Sequence, residues 1–193
     1  MRISLSFLLI FFVCCKQKIS TLQKPSNSDT VHFYQVAQFI SSQVADVNKT
    51  PYYIYQKSLI NGKEDSTQIN ASQFGQFAQH FINPDISEEP LKKEYLETVF
   101  FDQNTKTYTL NYTTKNKELE VQNIDVLLKE DATTLKRIFI RKFFNYNTDS
   151  SAIEQLSWRP NEQFMISRVV QIPRQKDRTY QTSIVWNENR GNK

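Results

Sequence analysis

The sequence predicts an α+β domain, with two amphipathic helices packed on a curved antiparallel β-meander of about seven strands and an early hairpin beside it. Three observations predict it. Apolar residues recur at helical spacing in two stretches before residue 84, alternation with period two sets in from Tyr95, and clusters of turn formers then break the chain about every ten residues.

The chain opens on a processing signal. Met1-Arg2 is positive, Ile3 to Val13 contains only apolar side chains and two serines, and Cys14-Cys15 ends the run before Lys16-Gln17-Lys18. Eleven residues are too few to cross a hydrocarbon core of about 30 Å, yet they fit the apolar stretch of an export signal. The junction resembles a bacterial lipoprotein signal, in which a cysteine directly after the apolar run is lipidated and becomes the mature N-terminus. Cys15 is the candidate for lipidation because it places the small Cys14 before it, and Cys14, preceded by β-branched Val13, is the alternative. A diacylated cysteine carries enough hydrocarbon for stable anchoring. Residues 1–15 are therefore read as the signal region and residues 16–29, KQKISTLQKPSNSD, as a polar tether reaching on the order of 20 Å. Residues 30–193 form one globular domain.

Asp29 can cap a first helix from Thr30, whose apolar stripe is Phe33, Val36, Ile40, Val44 and Val47, and which ends near Asn48 ahead of Pro51. Pro51 to Ile60 is β-branched and aromatic, and Asn61-Gly62 is a hairpin signal leading to a polar return strand, Lys63 to Ile69. Asn70 with Gln73 forms a capping-box pattern ahead of Phe74, Phe77, Ala78 and Phe81, a second helix that stops at Asn83-Pro84. The meander follows, with strands over Tyr95 to Phe101, Lys106 to Thr114, Leu119 to Leu128, Leu135 to Phe144, Ile153 to Trp158, Gln163 to Ile172 and Thr179 to Trp186. Short links between them favour antiparallel neighbours.

Composition excludes several chemistries. Three glycines in 193 residues leave no GxGxxG, no GxxxxGK[ST] and no GxSxG. With both cysteines at the signal junction, the domain has no thiol for catalysis, disulfides or zinc. His32 and His80 have no partner at metal-ligand spacing, and the acid pairs Glu64-Asp65, Glu88-Glu89 and Glu130-Asp131 fall in turns or helix starts, where acids belong for local reasons. No catalytic residue, metal site or cofactor is legible, and the chain reads as a non-enzyme.

Charge is uneven. Residues 16–133 carry 12 basic and 15 acidic side chains, residues 134–193 carry 11 and 5, and every arginine except Arg2 lies in the second segment. Alternation over Leu135 to Phe144 puts Arg137, Phe139, Arg141 and Phe143 on one face and Ile138 and Ile140 on the other. Arg137, Arg141 and Arg168 are the candidate patch for an anionic ligand, since guanidinium forks pair with carboxylate and phosphate. The competing reading is a solvated face whose basic strands pair with acidic ones across the sheet. Nucleic acid is not the expected partner of an exported, anchored domain.

The FFVCC-K junction and the Asn/Lys/Tyr/Phe-rich strand run ending in SIVWNE resemble the small uncharacterised lipoproteins of Bacteroidota. The resemblance implies a cell-envelope protein, lipid-anchored to the outer membrane on its periplasmic or surface face, with no known active residues. The helix-then-meander order also admits a half-barrel or lipocalin-like arrangement. Three functions follow as expectations. The first is a non-catalytic binding or structural domain with an envelope protein or acidic ligand as partner, and with no deep polar pocket. The second is a lipid or hydrophobic-ligand carrier whose half-barrel cavity is lined by residues such as Phe139, Phe143 and Tyr112. The third is a carboxylate-based enzyme with acids and an arginine in one cleft, for example Glu97 or Glu120 near Arg141.

Overall fold

The computed structural model describes residues 33–60, 62–147 and 149–187. The signal region, Cys14 and Cys15, the tether, the Asp29 cap, His32 and Asn61 lie outside the described residues. Helices α1 (Val36–Lys49) and α2 (Ala71–Ile82) accompany nine strands: β1 (Ile54–Ile60), β2 (Lys63–Ile69), β3 (Tyr95–Asp102), β4 (Thr107–Thr114), β5 (Val121–Leu128), β6 (Leu135–Asn147), β7 (Ser150–Arg159), β8 (Gln163–Gln171) and β9 (Arg178–Val185). The strands form one open antiparallel sheet in the order β2-β1-β9-β8-β7-β6-β5-β4-β3. The chain is thus α+β with an antiparallel meander, which joins the early hairpin through β9 and β1. Among the described residues, no helix is long and apolar enough to cross a membrane.

Helix α1 begins at Val36, later than the expected Thr30, with Gln35 at its N-cap making no side-chain capping bond. The reason is Phe33, which is buried just before the helix, its ring 4.8 Å from that of Tyr112, while the Tyr34 N–H donates to the Tyr112 hydroxyl at 2.9 Å. Those contacts hold residues 33 and 34 against the sheet, and the Val36 N–H bonds the Tyr34 carbonyl at 2.9 Å in a tight turn before the helix starts. The rest of the stripe serves as expected: Val36, Ile40 and Val47 are buried and Val44 packs beside them. Helix α2 starts where its capping box predicts, with the Asn70 side chain accepting from the Gln73 N–H at 2.9 Å and the Gln73 side chain accepting from the Asn70 N–H at 3.0 Å.

Strand register sorts side chains by parity. Ile138 pairs with Val126 and Trp158, Trp158 with Phe164, and Phe164 with Ile184, which makes one apolar row across five strands. The next row runs Tyr112, Ile124, Ile140, Leu156 and Ile166. Both lie under the helices: Phe74 meets Trp158, Phe164 and Trp186 edge-on at 6.1, 5.4 and 5.0 Å, and Phe81 meets Trp158 at 5.0 Å. The expected five-residue turn after Phe144 is shorter than predicted, because β6 continues through a bulge at Asn145/Asn147.

Scarce glycine has a visible consequence in the turns. Lys106, Ala132, Asn161 and Arg174, one in each link β3–β4, β5–β6, β7–β8 and β8–β9, adopt φ of 49°, 56°, 57° and 61°. Left-handed backbone costs an L-residue about 1–2 kcal/mol relative to its ordinary basins. Among the described residues only Gly62, at φ 83° in the β1–β2 turn, holds such a position without a Cβ.

Two outcomes follow. Ala132→Gly relieves the strain and raises stability by about 1 kcal/mol, or ~2–4 °C in Tm by thermal circular dichroism, whereas Gly62→Ala, with open space around it, lowers stability by a similar amount through backbone strain alone. The second concerns Tyr95, whose hydroxyl donates to the Val121 carbonyl at 2.7 Å and whose ionisation is pushed up to about 12 by burial and then by the charges of Glu120 and Glu94. An unfolded phenol loses its proton near the ordinary value of 10.0. Stability is therefore complete below that pH and is lost as pH rises through about 12. Urea unfolding across this range checks it: Tyr95→Phe is less stable at neutral pH and flatter above pH ~10.

Candidate functional site

Beyond its two apolar rows, the helix-covered face of the sheet turns charged. Lys142 of β6, Glu154 of β7 and Arg168 of β8 are cross-strand neighbours in the third row. The row lies at the C-terminal end of α2, where the helix's last carbonyls lack intrahelical partners. Lys142, only 3% exposed, donates to the carbonyl of Asn83, the C-cap of α2, and to Glu120 Oε1 at 2.8 Å. A cation is favoured at that end of a helix.

Glu154 is 1% exposed and serves two partners. His80, in the last turn of α2, places Nδ1 at 3.1 Å from Oε1, and Arg168 places Nη1 at 3.4 Å from Oε2. A carboxylate only accepts, so Nδ1 carries the proton in this pair and Nε2 is left without a partner among the described residues. Arg168 is held from its other side by the Tyr146 hydroxyl and lies 4.8 Å from the Phe144 ring centroid. The Phe144 and Tyr146 rings stack in near-parallel planes, 6.3 Å apart.

These groups surround a wide-mouthed cleft of about 590 Å³ between α2 and β6–β8, with Gln76, Gln79 and Asn83 adding amide groups at its rim. The pairs His80–Glu154 and Lys142–Glu120 are local consequences of parity and helix phase. Residues 142, 154 and 168 share the parity of the buried residues 140, 156 and 166, and His80 lies two residues from buried Ala78 and next to buried Phe81. Chemically, the cleft offers an imidazole oriented by a buried carboxylate, an ammonium, a guanidinium and side-chain amides. This set can bind a small polar molecule, and its imidazole can accept a proton through Nε2.

The structure distributes the three arginines between faces. Arg137 and Arg141 stand with Phe139 and Phe143 on the face away from the helices, as alternation predicts, and Ile138 and Ile140 are buried opposite them. Arg168 lies on the helix-covered face, because it pairs with Glu154 while Ser167 pairs with Gln155 and so with Arg141. Arg137 lines a separate groove with Arg159, and Arg141 is exposed. Glu120 meets Lys142 instead of Arg141, and Glu97 accepts from the Tyr112 hydroxyl at 2.9 Å. Tyr112 is buried under the helices, so it does not share a face with Phe139 and Phe143.

Sequence reasoning missed Lys142, Glu154 and His80 as a group. The available signal was a charged residue at an apolar parity in two strands: Lys142 follows Ile138 and Ile140 at steps of two, and Glu154 precedes Leu156 and Trp158. Comparisons with family models, with curated proteins and with solved structures return no match to this chain.

Proposed function

We propose that this chain is a lipid-anchored envelope protein, held to the outer membrane through Cys15, whose domain binds a small polar ligand in the cleft between α2 and β6–β8 without chemically transforming it. The observation that carries the reading is the third row of the helix-covered face. Lys142 and Glu154 occupy positions where the two preceding rows are apolar, and both are almost fully buried. Replacing a buried ion pair by packed apolar residues is often neutral or stabilising, so charges retained at the floor of a cleft point to a demand other than stability. Anchoring is supported by the charge, apolar length and abrupt cysteine end of residues 1–15.

A second reading has its own support. The Nε2 of His80, without a partner among the described residues and oriented through Nδ1 by Glu154, is the geometry of a general base, and Glu120 shares the cleft. That reading makes the protein an enzyme acting on the same ligand.

Purification of the full chain from its own envelope, followed by mass spectrometry of small molecules released from it, separates these readings. A species retained by the wild type and by Lys115→Ala, an exposed site on the β4–β5 link, and lost from His80→Ala by at least tenfold supports the cleft. No retained species, or retention unaffected by His80→Ala, overturns it. Conversion of the retained species by the wild type alone favours the enzyme. Anchoring is checked separately: Cys15→Ser abolishes labelling of the protein by a radiolabelled fatty acid, while unchanged labelling transfers the assignment to Cys14 or removes it.

A further inference from the structure

A second groove, of about 600 Å³, lies on the side of the sheet away from the helices, between the β5–β6 link and the β7–β8 turn. Its walls are Leu127, Phe139 and Pro160, and its charged members are Lys129, Lys136, Arg137, Arg159 and Glu162. Ile138 pairs with Trp158, so the preceding residue of β6, Arg137, faces the following residue of β7, Arg159. Like charges directly opposite on neighbouring strands are destabilising.

The two guanidiniums are not equally satisfied. Arg159 is bonded to Glu162 Oε2 at 3.0 Å. Arg137 is half-buried and has no carboxylate within ion-pair distance among the described residues. It lies over the Phe139 ring, 5.4 Å from its centroid, which holds the guanidinium at the groove wall. Burial, followed by the charge of Arg159, holds its ionisation below the ordinary range, and the more distant Glu162 offsets this only in part.

We propose that this groove is a site for a phosphate ester, with the phosphate bound by Arg137 and Arg159 and its organic part lying against Phe139, Leu127 and Pro160. Lys129, Arg137 and Arg159 against one carboxylate, with Lys136 donating to the Thr107 hydroxyl at 3.2 Å, favour a group near two negative charges, which a phosphate monoester carries at neutral pH. A guanidinium pairs bidentately with phosphate oxygens, and Arg137 and Arg159 come from facing positions of β6 and β7. The site does not depend on the cleft beside α2, since it is built from the opposite face. A soluble phosphate ester and a phospholipid headgroup share this chemistry.

The test uses the full chain in non-ionic detergent. Calorimetric titration with phenyl phosphate at 0.15 M salt gives saturable one-site binding, weakened at least tenfold in Arg137→Gln and unchanged in Arg141→Gln, which removes a charge from the same face outside the groove. Thermal unfolding of ligand-free Arg137→Gln lies at or above that of the wild type, because one of two opposed charges is gone, and phenyl phosphate raises the transitions of the wild type and Arg141→Gln but not that of Arg137→Gln. A parallel titration with micelles containing phosphatidic acid identifies the source: tighter binding than phenyl phosphate assigns a lipid headgroup, and weaker binding a soluble ester. Equal losses in Arg137→Gln and Arg141→Gln, or no saturable binding of either probe, overturn the proposal.

Discussion

Packing of α2 into the aromatic rows of the sheet is the constraint on which the rest of the molecule depends. Phe74 and Phe81 are buried among Trp158, Phe164 and Trp186, with ring planes mostly near perpendicular, while Trp158 and Phe164 stack at 4.6 Å. Burying rings of this size contributes a few kcal/mol each and adds edge-to-face attraction. Because three of the five rings come from β7, β8 and the residue directly after β9, the same contact fixes the phase of the helix and the register of the strands beneath it. The Trp158 indole N–H is buried there without a hydrogen-bond partner among the described residues, a cost that the surrounding rings offset through packing.

The polar cleft is where that packing stops. Helix α2 ends at Ile82 above the third row, so its last carbonyls and His80 meet Lys142, Glu154 and Arg168 instead of an apolar surface. Each buried charge is matched: the ammonium by a carbonyl and Glu120, the carboxylate by imidazole and guanidinium. Removing one partner would leave an uncompensated charge in a poorly solvated place, so the network holds His80, Lys142, Glu154 and Arg168 in their orientations at the cleft. Among the described residues no helix covers the opposite face, where Arg137 and Arg159 stay opposed and Glu162 is bonded to Arg159.

Local patterns in the chain were enough for most of the elements. The Asn70–Gln73 box placed the start of α2, and alternation over β6 separated Arg137 and Arg141 from Ile138 and Ile140. The start of α1 was not legible, because Phe33 fits a helical stripe as well as it fits the ring of Tyr112, which is 79 residues away in the chain. The face of Arg168 was not legible either. A one-residue uncertainty in the turns between β6 and β8 exchanges the two faces, and the β6 bulge supplies such an uncertainty. The candidate cleft draws on residues 80, 120, 142, 154 and 168, and no local motif links positions so far apart.

What the sequence determined by itself is therefore of two kinds: the local elements, whose caps, turns and periodicities act over a few residues, and the chemistry withheld from the domain by its lack of cysteine and its scarcity of glycine. The tertiary structure decided which charges meet. Glu154 is one acid among twenty until register sets it between Lys142 and Arg168 and the phase of α2 brings His80 over it. Only at that point does burial remove water from the carboxylate and make its partners matter. The physical reason is range: backbone preference and periodicity act along the chain, whereas desolvation and ion pairing depend on distances that exist only after the sheet has formed.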